Sequence, residues 1–277
     1  MTANVRTHDG LATYGPAAAE LLDLLDEVFK GWATRSGAAP MLMPPLLSVA
    51  DLAGFDFYQN FPQLAMVATR IDPAQAGAAA GGMFPPAALE PAALALPSTV
   101  CYPVYRHFAE TRLDDDTLVT VFGLCFRNEN HYDGLRRLMA FRMREVVALG
   151  SLEFTQQLLA RASDYIAAFA AAVDLPITNE VATDPFFDTN GLRATLQRLV
   201  PVKNEFIFAG TAIASVNLHR NFFGERCGIG YGGRGDAAYT SCVGIGYDRW
   251  IHALITRYEG DWSTAVKMVD RARTSMQ

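Results

Sequence analysis

Two apolar, β-branched runs, residues 117–126 and 138–149, stand on either side of a polar loop at 128–134, and this arrangement restricts the fold more than any other part of the chain. Runs of this composition form strands. With a charged loop between them they make a long antiparallel hairpin. Around it, residues 17–35 set Leu21, Leu22, Leu25, Val28, Phe29 and Trp32 at intervals of three and four, the stripe of an amphipathic helix that Gly37 ends. Residues 41–45 read as a short strand stopped by Pro44 and Pro45, and 99–112 as a helix. Ser151 is placed to cap a helix running to Val173, with Phe154, Leu158, Ala162, Tyr165, Ile166 and Phe169 on one face. Strands follow at 204–209, 212–221 and 239–243, then a helix at 248–258 continued by 262–274. Strands in succession between helices, without βαβ alternation, indicate an α+β fold: an antiparallel sheet flanked by helices.

Composition narrows the class further. With 51% hydrophobic and 19% charged residues, the 277-residue chain can bury a sizeable core and falls outside the disordered and fibrous classes. One domain over 1–277 is expected, carrying an Ala/Gly/Pro-rich surface excursion at about 72–97. A formal charge of -6 advertises no general basic face for a nucleic-acid backbone. Residues 1–10 lack the apolar core of a secretory signal, and no run approaches the ~18 apolar residues of a membrane span. A cytoplasmic protein with no membrane partner is the expectation, so Cys101, Cys125, Cys227 and Cys242 read as reduced thiols or metal ligands rather than two disulfides. None shows CxxC spacing. The glycine-rich stretch 228–235 (GIGYGGRG) resembles a phosphate loop, but no helix start clearly follows it, and a hairpin connection is the better reading.

Functional side chains are densest at 126–145, where Arg127, Arg136, Arg137, Arg142 and Arg144 fall close together. Strand alternation puts Arg127 and Glu129 on one face, and Phe141, Met143 and Glu145 on one face of the partner strand. A cation, an aromatic ring and two acids would then line one surface. The alternative at this point is a solvated face of surface ion pairs, which carries no function.

These residues resemble motif 2 of the class II aminoacyl-tRNA synthetases: Phe126, Arg127 and Glu129, a loop, then Arg137, Phe141 and Glu145. GIGYDRW (244–250) is similar to motif 3, in which glycines precede a helix carrying an arginine, here Arg249. The amphipathic helix followed by Pro44 resembles motif 1, the dimer interface of that superfamily. Within it, CYPVY (101–105), CFRNE (125–129), SVNLHRNFFG (215–224) and TSCVGIG (240–246) resemble the seryl-tRNA synthetase-like amino acid:[carrier protein] ligases, relatives of the zinc-dependent archaeal seryl enzymes. The resemblance spans roughly residues 17–258 and does not include the N-terminal tRNA-binding arm of a seryl enzyme. It implies a class II catalytic-domain fold, a homodimer and no tRNA partner.

It also implies chemistry. Cys101, Glu145 and Cys242 match a Cys-Glu-Cys zinc site, whose three protein ligands leave the fourth tetrahedral position for the substrate's amino group. Arg127 matches the arginine on the α-phosphate and carboxylate, Arg249 that on the γ-phosphate, and Arg137 a motif 2 loop arginine near the terminal phosphates. Phe141 would stack on adenine and Glu129 would accept from its exocyclic amine. Lys203 and Glu205 fall where relatives line the amino-acid pocket. For the Mg2+ that accompanies ATP, Ser215 and Asn217 match, the expected Glu falls near Thr211, and Glu205 is the nearby substitute; Asp248 replaces the usual Glu before the motif 3 arginine. Cys125 and Cys227 match no metal position, and His131 and His219 are candidates for phosphate or substrate contact.

The activity so implied is ATP-dependent activation of a small amino acid as its adenylate and transfer to the phosphopantetheine thiol of a carrier protein. Two readings stay open beside it: an adenylating enzyme whose acceptor is a small amine, and a non-catalytic regulatory or scaffold paralogue.

Overall fold

The structure is a computed structural model that describes residues 4–233 and 235–276. Its main sheet has seven strands: β1 (Ala39–Met41), β2 (Thr117–Phe126), β3 (Ala140–Gly150), β4 (Thr178–Val181), β5 (Lys203–Phe208), β6 (Thr211–Arg220) and β7 (Tyr239–Gly246). They lie in the spatial order β4-β5-β6-β7-β3-β2-β1. Every neighbouring pair is antiparallel except β1 and β2, which are parallel, so the sheet is mixed at one edge rather than antiparallel throughout. β1 starts two residues earlier than the proline argument placed it. Pro40 lies within it, tolerated because an edge strand need not donate on its free side.

The hairpin β2–β3 pairs in unbroken register from Thr117↔Leu149 to Phe126↔Ala140. One face of the sheet is covered by α1 (Pro16–Arg35), where Leu21, Leu25, Val28 and Phe29 are buried against Val146, Ala148, Val243 and Ile245. On the other face, α2 (Val49–Gly54), α3 (Phe57–Asn60) and α4 (Tyr102–His107) build a second core on Val119, Val121, Val147 and Leu149. The helix expected over 99–112 is confined to α4: Glu110 turns at φ 56°, and Arg112–Leu113 instead pairs with Gly230–Tyr231.

α5 (Leu152–Ala172) starts where the Ser151 hydroxyl accepts from the Phe154 N–H, and it returns to the first core. α6 (Leu192–Leu199) and α7 (Phe222–Cys227) flank the second face, while α8 (Tyr247–Arg257) and α9 (Trp262–Ser275) complete the first. The hairpin Val5–His8/Leu11–Tyr14, β4, α6 and α7 were not foreseen from the sequence. The expected hairpin is present in that Gly230–Tyr231 pairs with Asp236–Ala237, residue 234 of the glycine-rich stretch lying outside the described residues. The excursion at 72–97 runs through two 3-10 segments before Leu94–Leu96 joins a three-stranded sheet with Leu47–Ser48 and Met66–Ala68. Among the described residues, no helix is long and apolar enough to cross a membrane.

Candidate active site

Register assembles the site. Directly opposed residues of neighbouring antiparallel strands share a face. The pairs Lys203↔Asn217, Glu205↔Ser215, Asn217↔Cys242, Ser215↔Gly244 and Gly244↔Glu145 therefore line up across β5, β6, β7 and β3, with Met143 and Phe141 continuing the row on β3. Their even neighbours Arg142 and Arg144 turn to the other face, where Arg144 bonds Asp26 of α1 and Arg142 bonds Asp248. Gly244 leaves room at the centre: a Cβ there would lie 2.9 Å from Met143 Cε and 3.3 Å from Ser215 Oγ.

Cys101, at the N-terminus of α4, is brought over this face beside Glu145 and Cys242. The two Sγ atoms and a carboxylate oxygen lie within 4.8 Å of one another, and all three residues are buried. Glu145 Oε1 accepts from the Thr99 hydroxyl and the Val100 N–H, whereas Oε2 is buried without a hydrogen-bond partner among the described residues. Burial, reinforced by Cys242, pushes the Glu145 carboxyl up to about 8. Burial likewise holds the Cys101 thiol well above its ordinary value, while hydrogen bonding from Cys101 carries Cys242 the other way. Three acids in one dry volume cannot all ionise without a cation. Two sulfurs and a carboxylate with one orphaned oxygen suit Zn2+.

The metal-ligand candidates line a cavity of about 470 Å³, together with Arg127, Lys203, Ser215, Asn217 and His219. A narrower cleft adjoins it, lined by Arg127, Glu129, Arg137, Phe141, Lys203, Glu205, Ser215 and Arg249. Arg127, Met143, Lys203, Ser215 and Gly244 belong to both, so the two spaces adjoin and share a wall. The residues expected to hold zinc, ATP and the amino acid, Cys101, Glu145, Cys242, Arg127, Glu129, Arg137, Phe141, Arg249, Lys203, Glu205, Ser215 and Asn217, all line one or the other of these adjoining spaces.

Partnerships within them differ in detail from the expected roles. Glu129 accepts from Arg137 at 2.8 Å, and the Arg127 guanidinium lies 4.9 Å from the centre of the Phe141 ring. Arg127 Nε donates to the Ser98 carbonyl, and Arg249 donates to the carbonyls of Arg136 and Ala212. Burial, with Arg127 nearby, lowers Arg249 to about 10. Lys203 bonds both Glu205, at 3.0 Å, and Asp184, at 3.1 Å.

Asp184, Thr99 and the Val100 N–H were missed. Asp184 lies in a loop whose local sequence carries no signal, and Thr99 acts only through the fold that brings it to Glu145. His131 bonds its neighbour Asn130 and lies outside both spaces, as does Thr211. Cys125 is core on the Glu145 face, and burial pushes the Cys227 thiol up to about 11. Asp248 is buried and receives the Tyr14 hydroxyl and the Arg142 N–H, fixing the start of α8 and hence Arg249.

A mixed sheet of this order, with the glycine-lined strand β7 running into the arginine-bearing α8, is the fold of the class II aminoacyl-tRNA synthetases. The M. kandleri seryl-tRNA synthetase, solved with A. aeolicus tRNASec, matches 96% of this chain with a TM-score of 0.81 at 19% identity; this chain covers 58% of that one. No family model matches the chain. In sequence, amino acid--[acyl-carrier-protein] ligase 2 of Bradyrhizobium diazoefficiens is 33% identical over 253 residues, covering 82% of this chain and 73% of that protein. The type-2 serine--tRNA ligase of Methanocaldococcus jannaschii is 29% identical over 188 residues, 60% of this chain and 35% of that protein. The chain belongs to the amino acid--[acyl-carrier-protein] ligase family.

Proposed function

We propose that the protein activates a small amino acid with ATP and passes the aminoacyl group to the phosphopantetheine thiol of a carrier protein. The observation that carries this is that the Cys101/Glu145/Cys242 cavity adjoins the arginine-lined cleft, with Arg127 lining both. Cys101, Glu145 and Cys242 would hold zinc, which when bound offers an open position to a neutral amine and so orients the amino acid. Arg127 then pairs with the substrate carboxylate and the α-phosphate. As a carboxylate oxygen bonds to the α-phosphorus, the bond to the β-phosphate bridging oxygen breaks and pyrophosphate leaves. Arg137 and Arg249 offset the charge of the terminal phosphates, which requires Arg137 to exchange Glu129 for the nucleotide. Phe141 and Glu129 receive the adenine. Mg2+ accompanies the ATP, with Glu205, Ser215 and Asn217 as the polar groups offered to metal and substrate.

In the second half-reaction the carrier's thiolate attacks the adenylate carbonyl, a thioester forms and AMP leaves with the bonding pair. Lys203 and Glu205 line the amino-acid side of the space. We read the chain as one catalytic domain acting as a cytoplasmic homodimer through the β1 edge, where Leu42 is 94% exposed. tRNA as acceptor is the second reading, favoured by the tRNA-bound synthetase that shares the fold.

Amino-acid-dependent ATP–pyrophosphate exchange, measured across the twenty amino acids, tests the first half-reaction. Exchange with a small amino acid that is lost on zinc chelation and restored by zinc is expected. Absence of exchange with every amino acid by the zinc-loaded protein would overturn the reading.

A further inference from the structure

The sulfur of Cys242 has a hydrogen-bonding environment that none of the roles above uses. Asn217 Nδ2 lies 3.5 Å from Cys242 Sγ, and His219 Nε2 lies 3.6 Å from it. At the opposite side of the imidazole, Nδ1 is 3.1 Å from the Tyr105 hydroxyl and 3.5 Å from that of Thr240. The ring cannot turn freely. It meets Phe223 edge-on at 5.0 Å and 86°, and Tyr105 at 5.8 Å and 82°, and those two rings are stacked on each other at 3.9 Å. Tyr105 is wholly buried and Phe223 nearly so, which makes this a rigid mount rather than a surface contact.

Donor and acceptor chemistry then selects one arrangement. A metal-bound thiolate only accepts, so the nitrogen facing it must carry the proton. A neutral imidazole with Nε2–H has an acceptor at Nδ1, and the Tyr105 hydroxyl is the nearest donor to it. The two sulfurs of the centre are thereby made unlike. Cys242 faces two N–H donors, whereas Cys101 Sγ has the Thr99 hydroxyl at 3.4 Å.

We infer that His219 is a positioning residue of the metal centre: fixed in its Nε2–H tautomer by Tyr105, it donates to the Cys242 sulfur, orients that ligand and withdraws charge from it. His219 is thus drawn from phosphate or substrate contact into the support of a ligand. The inference rests on the zinc reading above. Groups of this kind around a ligand typically change metal affinity by about 10–100-fold when removed.

The test measures Zn2+ affinity by competition with a chromophoric chelator, and the thiolate-to-metal charge-transfer band of the Co2+ form, in wild type, His219→Leu, His219→Gln and Tyr105→Phe. His219→Leu is expected to bind Zn2+ about 10–100-fold more weakly and to move the Co2+ band to longer wavelength, because a thiolate without its hydrogen bond gives up an electron to the metal more readily. His219→Gln, whose amide N–H can reach the sulfur, should recover most of both. Tyr105→Phe should fall between His219→Gln and His219→Leu. Should His219→Leu not fold, the comparison of Tyr105→Phe with wild type decides. Wild-type affinity and band position in the folded variants would overturn the inference. A wild-type protein that binds neither Zn2+ nor Co2+ would remove the centre itself, and with it the metal part of the proposed function.

Discussion

Arg127 occupies the junction of the two spaces, and its neighbours show how little of its position comes from charge pairing. Its guanidinium is held by the Ser98 carbonyl and the face of Phe141, with no carboxylate among the described residues bound to it. It is therefore available to an anionic substrate. Arg127→Ala is expected to lower pyrophosphate exchange by about 10²–10³-fold, the usual effect of removing one preorganised donor from a developing charge. Zinc content should stay at the wild-type level, which metal analysis of the same sample checks. Lys203 illustrates a different balance. Burial works against the charge of Asp184, but attraction to Lys203 and a hydrogen bond from Gln197 outweigh it and hold the carboxyl below its ordinary value. A depressed carboxyl binds fewer protons folded than unfolded, so its stabilisation is full above the unfolded value of about 4 and is lost as pH falls through the folded one. Urea unfolding of wild type and Asp184→Asn should show a constant gap from pH 5 to 7 that narrows below pH 4. At this scale the sequence was legible where alternation applies: Phe141, Met143 and Glu145 share a face because a strand has period two. Asp184 was not, since its partners come from a strand and a helix that follow it in the chain.

The β2–β3 hairpin carries candidate site residues on one face and charged anchors on the other. Arg144 is 4% exposed and reaches through the first core to Asp26 at 2.7 and 3.0 Å, with the Tyr247 hydroxyl on the same carboxylate. This ties α1 and α8 to the strand that bears Glu145. Asp26→Ala strands a buried guanidinium and should cost about 3 kcal/mol, read from denaturant unfolding. The double change Asp26→Leu with Arg144→Met should cost markedly less, because it leaves no unpaired charge. The hairpin, α1, α5 and β5–β7 were readable from periodicity and caps. The short elements were not. α6 and α7 have eight and six residues, and β4 has four exposed residues, too few to show a period. The expected 99–112 helix stops at His107 because the chain turns at Glu110 and its end, Arg112–Leu113, is recruited as strand by Gly230–Tyr231, a pairing outside any local window.

Across the whole molecule, the sheet separates support from chemistry. The helices α1, α5, α8 and α9 close one face as a continuous apolar core, and the other face is left partly open to form the adjoining cavity and cleft. The fold class was readable from strand succession, but the candidate metal-ligand set was not. Cys101, Glu145 and Cys242 lie on a loop end and two strands, and only the register Gly244↔Glu145 and the return of α4 bring them together. Family resemblance supplied what spacing could not. The central claim, that this space makes an adenylate and hands it to a carrier thiol, is tested most directly by the intact mass of a phosphopantetheinylated carrier protein incubated with the zinc-loaded protein, ATP and the amino acid that supports exchange. The account predicts a mass gain of one aminoacyl group, removed by hydroxylamine as a thioester should be. An unmodified carrier in the presence of active exchange, with the label found on tRNA instead, would contradict it.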